Sequence, residues 1–198
     1  MSEVKTKTVA VAQTVKPIGF DSLDATEFAP PVIKLWAKMT QAKVEGGELG
    51  QFYDVSRSKA IGTSFKMNLL AIKNSQYTKT DPKTNLEKIT YTKSLLVYTG
   101  GSIPKILQLS VTSFGNVKKV LTAAYEASIE AGGLPLYAFN ITTTCEVTSN
   151  PNGSFAVANF TLGDKVSAEE LQKLNGMYEQ FGKTFSGEKE VAVEDVFA

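Results

Sequence analysis

Alternating hydrophobic and polar positions dominate the middle of the chain, and this alternation predicts β-strands. Residues 64–80, SFKMNLLAIKNSQYTKT, predict a long strand. Residues 81–85, DPKTN, predict a turn, because proline presets φ while Asp and Asn bond their own backbone. The chain then returns through Ile89, Tyr91 and Lys93, with β-branched threonines between them. The pattern therefore predicts a long hairpin rich in Lys and Tyr.

The same alternation predicts strands on both sides of this hairpin. They are residues 32–39, 50–55 and 104–111. A second hairpin is predicted from residues 137–147 and 154–162, because the Asn152-Gly153 pair between them favours a tight hairpin turn.

Hydrophobic residues at spacings of three and four predict two helices. The first carries Val117, Val120, Leu121, Ala124, Tyr125 and Ile129. We expect it to end at Gly132-Gly133. The second opens with the capping box Ser167-Ala168-Glu169-Glu170. It presents Leu171, Leu174, Tyr178 and Phe181 on one face.

About six strands, mostly in hairpins and interrupted by one helix, predict a mainly β protein with two helices (α+β), built as an OB-like small antiparallel β-barrel. Three regions are expected along the chain. They are a flexible N-terminal segment (1–28), an OB-like nucleic-acid-binding domain (29–185) and an acidic, mobile C-terminal tail (186–198).

Composition argues against most catalytic chemistry. The chain of 198 residues has no histidine and one cysteine, Cys145. It therefore lacks the commonest general base and the ligands of ordinary zinc sites. We expect no enzyme activity, no cofactor and no metal. The single cysteine and the lack of an apolar signal segment favour the cytoplasm. Because no stretch is apolar enough to span a bilayer, we expect no membrane partner.

The charges are segregated along the chain, and this changes the functional expectation. Residues 57–119 hold eleven Lys or Arg residues and two acidic ones, a net charge of +9, although the whole chain carries +1. Aromatic residues are interleaved with these bases. Phosphates attract Lys and Arg without reading sequence, and unpaired bases stack on aromatic rings. The segment therefore predicts a surface for single-stranded nucleic acid, although a solvated β surface with buried aromatics is the alternative.

The candidate nucleic-acid-binding residues divide into two roles. Phosphate binding is predicted for Arg57, Lys59, Lys66, Lys73, Lys79 and Lys93. Base stacking is predicted for Trp36, Tyr77 and Tyr91.

The C-terminal tail combines acidic residues with an aromatic one near its end. Glu188 and Glu190 precede Glu194 and Asp195, and Phe197 follows. Such a segment can compete with nucleic acid for the basic surface, or Glu194, Asp195 and Phe197 can dock on a partner protein. The alternative is an ordinary acidic terminus that favours solubility.

The order of these pieces resembles a group of tailed-phage single-stranded DNA-binding proteins with an OB-like core. The resemblance rests on PPVIKLWAKMT, GELGQFYDV, the basic hairpin, PKILQLSVTSFGNVKKVLTAAYEA, FNITTTCEVTSNPNGSFAVANFTL and the acidic C-terminus. It covers about residues 30–185. It implies coating of single-stranded DNA during phage replication or recombination in the host cytoplasm, with replication or recombination proteins recruited by the tail.

Two other classes remain as alternatives. A structural or assembly protein of a virion or complex would use the barrel for packing, form stable homo-oligomers and ignore DNA. A homo-oligomer is also expected of the DNA-binding protein. A nuclease working through carboxylates and Mg²⁺ would find only Asp81 and Glu87 in the basic segment, near a hairpin tip that is a poor place for a rigid metal site.

Overall fold

Strands make up most of the regular structure. The computed structural model describes residues 32–35, 48–55, 59–80, 84–151 and 153–186. The strands are β1 (Val32–Leu35), β2 (Phe52–Asp54), β3 (Lys59–Gly62), β4 (Ser64–Thr80), β5 (Glu87–Tyr98), β6 (Lys105–Leu109), β7 (Phe139–Asn150) and β8 (Gly153–Lys165). The helices are α1 (Phe114–Glu130), α2 (Ala168–Met177) and α3 (Lys183–Ser186), with a π-helical segment, Tyr178–Gly182, between the last two. The described part of the protein is therefore mainly β with two principal helices, as predicted.

Hydrogen bonds join the strands in the order β3-β2-β1-β6-β5-β4-β7-β8. All neighbours are antiparallel except β1 and β6, which are parallel. The long strand β4 takes part in two pairings, with β7 over Ser64–Met67 and with β5 over Asn68–Thr80. Among the described residues no pairing connects β3 to β8, so the strand order has two ends.

One face of the sheet packs against α1. This first core is formed by buried side chains from seven strands of the sheet, all except β3, together with Val117 and Val120 of α1. The spacing of three residues between these two valines turns both toward the sheet. The helix ends where Gly132 and Gly133 adopt φ values of 84° and 85°, a conformation that glycine adopts readily. The Gly133 N–H donates to the Ser128 carbonyl at 2.8 Å, which satisfies one of the last carbonyl groups of α1.

The other face packs against α2 and the segment that follows it. This second core contains Leu70, Ala71, Leu96, Tyr98, Tyr137, Val166, Leu174 and Met177. The helix begins where the Ser167 hydroxyl accepts a hydrogen bond from the Glu170 N–H at 3.2 Å, as the capping box predicts. Two polar contacts fix α2 to the core. The Tyr137 hydroxyl donates to Asn175 Oδ1 at 2.7 Å, and Lys173 Nζ donates to the Tyr98 hydroxyl at 2.5 Å.

The structure confirms both predicted hairpins and both predicted helices, with differences at their boundaries. The strand predicted over 104–111 ends at Leu109, because Val111–Ser113 turns into a 3-10 helix whose Ser113 N–H bonds the Ser110 carbonyl. The short strand β3 was not predicted. Of the strand predicted over 32–39, residues 36–39 are outside the described part, as are residues 1–28 and 187–198.

Candidate nucleic-acid interface

The distal part of the β4–β5 hairpin is accessible to solvent on both faces. Over residues 73–80 and 84–93 none of the described side chains is buried, whereas every residue from Ser94 to Tyr98 is. We call residues 73–80 and 84–93 the arm. Eight extended residues span roughly 27 Å, so the arm reaches well beyond the two cores.

A β-bulge in β4, at the base of the arm, determines on which face of the sheet each β4 residue of the arm lies. Leu69 pairs with Val97 and Ala71 pairs with Leu96, which leaves Leu70 as the extra residue. Leu69 belongs to the first core, while Leu70 and Ala71 both belong to the second. The alternation along β4 therefore shifts by one residue at this point.

The shifted alternation separates the predicted residues onto two faces. Lys93 lies two residues before Leu95 of the first core, and Tyr91 lies two residues before Lys93, so all three are on the same face of β5. Asn74 pairs directly with Lys93 and therefore lies on that face too. Lys73 pairs with Ser94 and lies on the face of the second core. The arm therefore presents two different surfaces rather than one basic groove.

On the first face, Lys93 is held at the root of the arm. Its Nζ atom lies 2.5 Å from Asn74 Oδ1 and 5.2 Å from the ring centroid of Phe114. Phe114 is the first residue of α1 and packs against the first core, so the helix places its ring. A cation over an aromatic face is a favourable electrostatic contact. The ammonium group of Lys93 is thus held in place by Asn74 and by the ring of Phe114.

Tyr91 adds an accessible aromatic ring to the same face. Its side chain is 52% exposed, and it lies about 7 Å along the strand from Lys93. That separation is comparable to the spacing of successive nucleotides in an extended single strand. The pair can therefore offer a stacking surface for one base and a cation for a neighbouring phosphate.

The other predicted lysines with described side chains are exposed but dispersed. Lys66 and Lys73 lie on β4, on the face of the second core. Lys59 lies on β3, and the strands β2, β1 and β6 separate it from β5 in the hydrogen-bonded order. The structure therefore does not gather these three lysines around Lys93.

The remaining predicted residues cannot be placed in the interface. Tyr77 and Lys79 pair with Thr90 and Lys88 through their backbones, and their side chains are outside the described part. The same holds for the whole of Trp36, Arg57, Glu188, Glu190, Glu194, Asp195 and Phe197.

One basic residue of the +9 segment has a structural partner. Lys105 Nζ lies 3.5 Å from Oδ2 of the buried Asp54, across β6, β1 and β2. A buried carboxylate needs such a cation to offset its lost hydration. Lys105 therefore stabilises the sheet and is not counted among the residues available to a ligand.

The sequence did not single out Asn74 and Phe114. Asn74 becomes relevant only through the hairpin register, which places it opposite Lys93. Phe114 reaches Lys93 through tertiary packing, and no local spacing indicates that contact. The interleaving of aromatic and basic residues in the sequence indicated Tyr91 and Lys93. It did not indicate Asn74 and Phe114, the two residues that contact the Lys93 ammonium.

Two further findings concern the described residues alone. They contain no group of three or more His, Cys, Asp or Glu side chains able to hold a metal ion. None of their helices combines the length and the apolar character needed to cross a bilayer.

Comparison with family models, with curated proteins and with solved structures found no match to the chain. The resemblance to phage single-stranded DNA-binding proteins accordingly stays an expectation.

Proposed function

We propose that the chain is a non-enzymatic, sequence-tolerant single-stranded DNA-binding protein of OB-like design, acting in phage DNA replication or recombination. Tyr91 and Lys93, at the root of the arm, form the centre of its binding surface. The observation that carries the proposal is the exposed ring of Tyr91 beside the positioned ammonium of Lys93. The phage context rests on the order of sequence segments alone.

The preference for single strands follows from the exposed ring. Only an unpaired base offers its π-face to a protein side chain, and each base stacked on an aromatic ring contributes about 1–3 kcal/mol. Lys73 adds positive charge on the other face of the arm, and Lys66 lies further back on that face of β4, where the strand pairs with β7. Such charge attracts phosphates without regard to sequence.

The OB-like design is supported by the way the ends of the strand order are connected. β3 runs directly into β4 through Gly62, whose φ of 117° allows a sharp change of direction, and Thr63. One end of the order is therefore joined covalently to a central strand. A small barrel would place the arm at its rim, as a strand pair that continues beyond the core.

The acidic tail is proposed as a competitor for the basic surface or as a docking element for replication or recombination proteins. It follows α3, which packs against β4, the strand that carries Lys66 and Lys73. A tethered acidic segment acts at high effective concentration, so weak attraction suffices for competition.

Fluorescence anisotropy of labelled single- and double-stranded oligonucleotides of one length tests the proposal at low and moderate salt. We expect tighter binding of the single strand and an affinity that falls steeply with salt. Substitution of Tyr91 by Ala should reduce this preference. Equal affinity for both forms, or no binding by the full chain, would contradict the proposal and favour a structural or assembly protein.

A further inference from the structure

Gln76 is the direct cross-strand neighbour of Tyr91 in the register of the arm. Directly opposite residues of an antiparallel pair lie on the same face of the sheet, with Cβ atoms about 4.5–5.5 Å apart. Both side chains are exposed. A base stacked on the Tyr91 ring would therefore have its edge within reach of the Gln76 amide.

The amide of Gln76 can turn, unlike that of Asn74. The Lys93 ammonium only donates hydrogen bonds, so it holds Oδ1 of Asn74 toward itself. In the described part of the chain, no hydrogen bond engages the Gln76 side chain. Half a turn about its last bond exchanges the positions of its carbonyl oxygen and its NH₂ group. Gln76 therefore offers a donor beside an acceptor in either order.

This pair of groups matches the Watson–Crick edges of unpaired bases. Adenine and cytosine place an amino donor beside a ring nitrogen that accepts, whereas guanine and thymine place a carbonyl acceptor beside a ring N–H. One amide can therefore form two hydrogen bonds with any of the four bases, in one orientation or the other. A phosphate only accepts, so the carbonyl oxygen of Gln76 would find no partner on the DNA backbone.

The charges on this face of the arm do not oppose a nucleotide at Tyr91. Lys93 lies about 7 Å from Tyr91 along β5 and attracts a neighbouring phosphate. Glu87 lies on the same face, four residues from Tyr91 in the other direction, or about 13 Å along the strand. That distance exceeds the Debye length of about 8–10 Å at moderate salt. The uncharged pair of Thr78 and Ile89 lies between them.

We propose that Gln76 recognises the base stacked on Tyr91, through two hydrogen bonds to the Watson–Crick edge of that base. This inference rests on the proposed function, because it concerns the same binding surface. In a duplex this edge is occupied by the complementary base, so Gln76 adds to the preference for single strands. Because the amide adapts to each base, recognition of the edge does not select a sequence.

Methylation of thymine at N3 tests the contact, because it removes the ring donor and leaves the stacking face and the phosphates. Anisotropy titrations compare oligo(dT) with the same oligonucleotide carrying N3-methylthymine throughout. We expect the wild type to bind oligo(dT) more tightly by roughly fivefold or more, as one bidentate contact implies. Gln76→Met keeps the side-chain length without strong hydrogen-bonding groups, and it should bind both oligonucleotides equally. Thr78→Met, at the next β4 position on the same face, is the matched control and should keep the wild-type ratio.

Exchange of the amide for a carboxylate tests the same contact by changing which base it favours. The base of deoxyinosine is guanine without the N2 amino group, and it keeps the carbonyl and the ring N–H that an amide uses. The wild type should therefore bind oligo(dT) with isolated guanines and oligo(dT) with isolated inosines equally. Gln76→Glu only accepts, so it should favour guanine, whose N1–H and N2 amino groups both donate, by roughly fivefold. Thr78→Glu adds the same charge nearby and should weaken binding to both equally.

The outcomes separate this inference from the proposed function. If the wild type binds oligo(dT) but is insensitive to methylation, or if Gln76→Met keeps the wild-type ratio, the role of Gln76 is wrong and the proposed function stands. Failure of Gln76→Glu to favour guanine would contradict the contact in the same way. No binding of any single strand by the wild type would overturn both. Circular dichroism checks that each variant is folded.

Discussion

The Nζ atom of Lys93 lies 2.5 Å from Oδ1 of Asn74, its directly paired neighbour on the adjacent strand. The contact occurs where the hairpin leaves the two cores, and the ring of Phe114 supports the ammonium from the side of α1. A lysine normally loses much side-chain freedom when it binds a ligand. Because Lys93 is already held in place, part of that loss has occurred before any phosphate arrives.

Replacing Lys93 by Gln should weaken binding to single-stranded DNA and make it less sensitive to salt. Each phosphate neutralised on a single strand contributes about 0.7 to the slope of log K against log salt concentration. We expect the slope to become less steep by about that amount in the Lys93→Gln variant. Lys165→Gln, which changes the charge equally at the exposed end of β8, should leave the slope unchanged. Equal slopes for both variants would remove Lys93 from the interface.

Replacing Tyr91 by Ala should reduce affinity for single-stranded DNA by about 1–3 kcal/mol, the contribution of one stacked base. Tyr91→Phe keeps the ring and should retain most of the affinity, so it is the matched control. The two variants are compared by anisotropy titration with an unstructured oligonucleotide. If the Phe variant loses as much as the Ala variant, the hydroxyl rather than the ring is responsible, and the stacking role is wrong.

Much of the fold could be predicted because the signals are local. The Ser167 hydroxyl caps α2 as its spacing from Glu170 indicates, and Gly153 begins β8 after the predicted turn. The valines of α1 face the core at their helical spacing. In each case a few neighbouring residues carry the whole signal.

The arrangement of the candidate interface could not be predicted, because one extra residue outside the site, Leu70 at the base of the arm, controls it. Without the bulge at Leu70, strict alternation would place Lys73 on the same face as Leu69. Nothing in the run of apolar residues around Leu70 marks the extra residue. The parallel pairing of Ile33 with Leu107 is likewise non-local and has no sequence signature.

Two glycines near the C-terminal helices should respond to alanine with opposite signs. A Cβ atom at Gly182 would overlap the Tyr178 ring, lying 2.9 Å from Cε2, and that ring packs on Tyr137 with centroids 5.4 Å apart. Gly182→Ala should therefore lower the free energy of unfolding by about 1–3 kcal/mol. Gly176, inside α2, has open space around its Cβ position, so Gly176→Ala should raise it by about 0.5–1 kcal/mol. Urea unfolding measures both changes in the free energy of unfolding. If both variants changed it in the same direction, the packing described around Gly182 and Gly176 would be wrong.

Cys145 should react slowly with alkylating reagents while the protein is folded. Burial raises the pKa of its thiol above the ordinary value of 9.0, and the carboxylate of Glu146 adds to this, against an opposing backbone hydrogen bond from Val157. Because the thiolate is the nucleophile, iodoacetamide at about pH 8 should label the native chain more slowly than the urea-unfolded chain. Equal labelling rates would contradict the partial burial of the Cys145 thiol.

The raised pKa of Cys145 also makes the free energy of unfolding depend on pH. The unfolded chain loses the Cys145 proton near the ordinary pKa of 9.0, before the native chain does. The contribution of this group to the free energy of unfolding is therefore fully present below that pH and is lost as the pH rises through the native value. Cys145→Ser should flatten the fall in the free energy of unfolding above about pH 9, measured by urea titration.

Removing the tail charge should strengthen DNA binding if the tail competes for the basic surface. We expect a chain that ends at Phe185 to bind single-stranded DNA more tightly than the full chain at low salt, with the difference shrinking as salt screens the attraction. A full-length variant with Glu188, Glu190 and Glu194 changed to Gln and Asp195 to Asn keeps the length but removes four negative charges. It should match the truncated chain, whereas Phe197→Ala should behave like the wild type. Tighter binding by the truncated chain alone would mean that the length of the tail, and not its charge, obstructs the DNA.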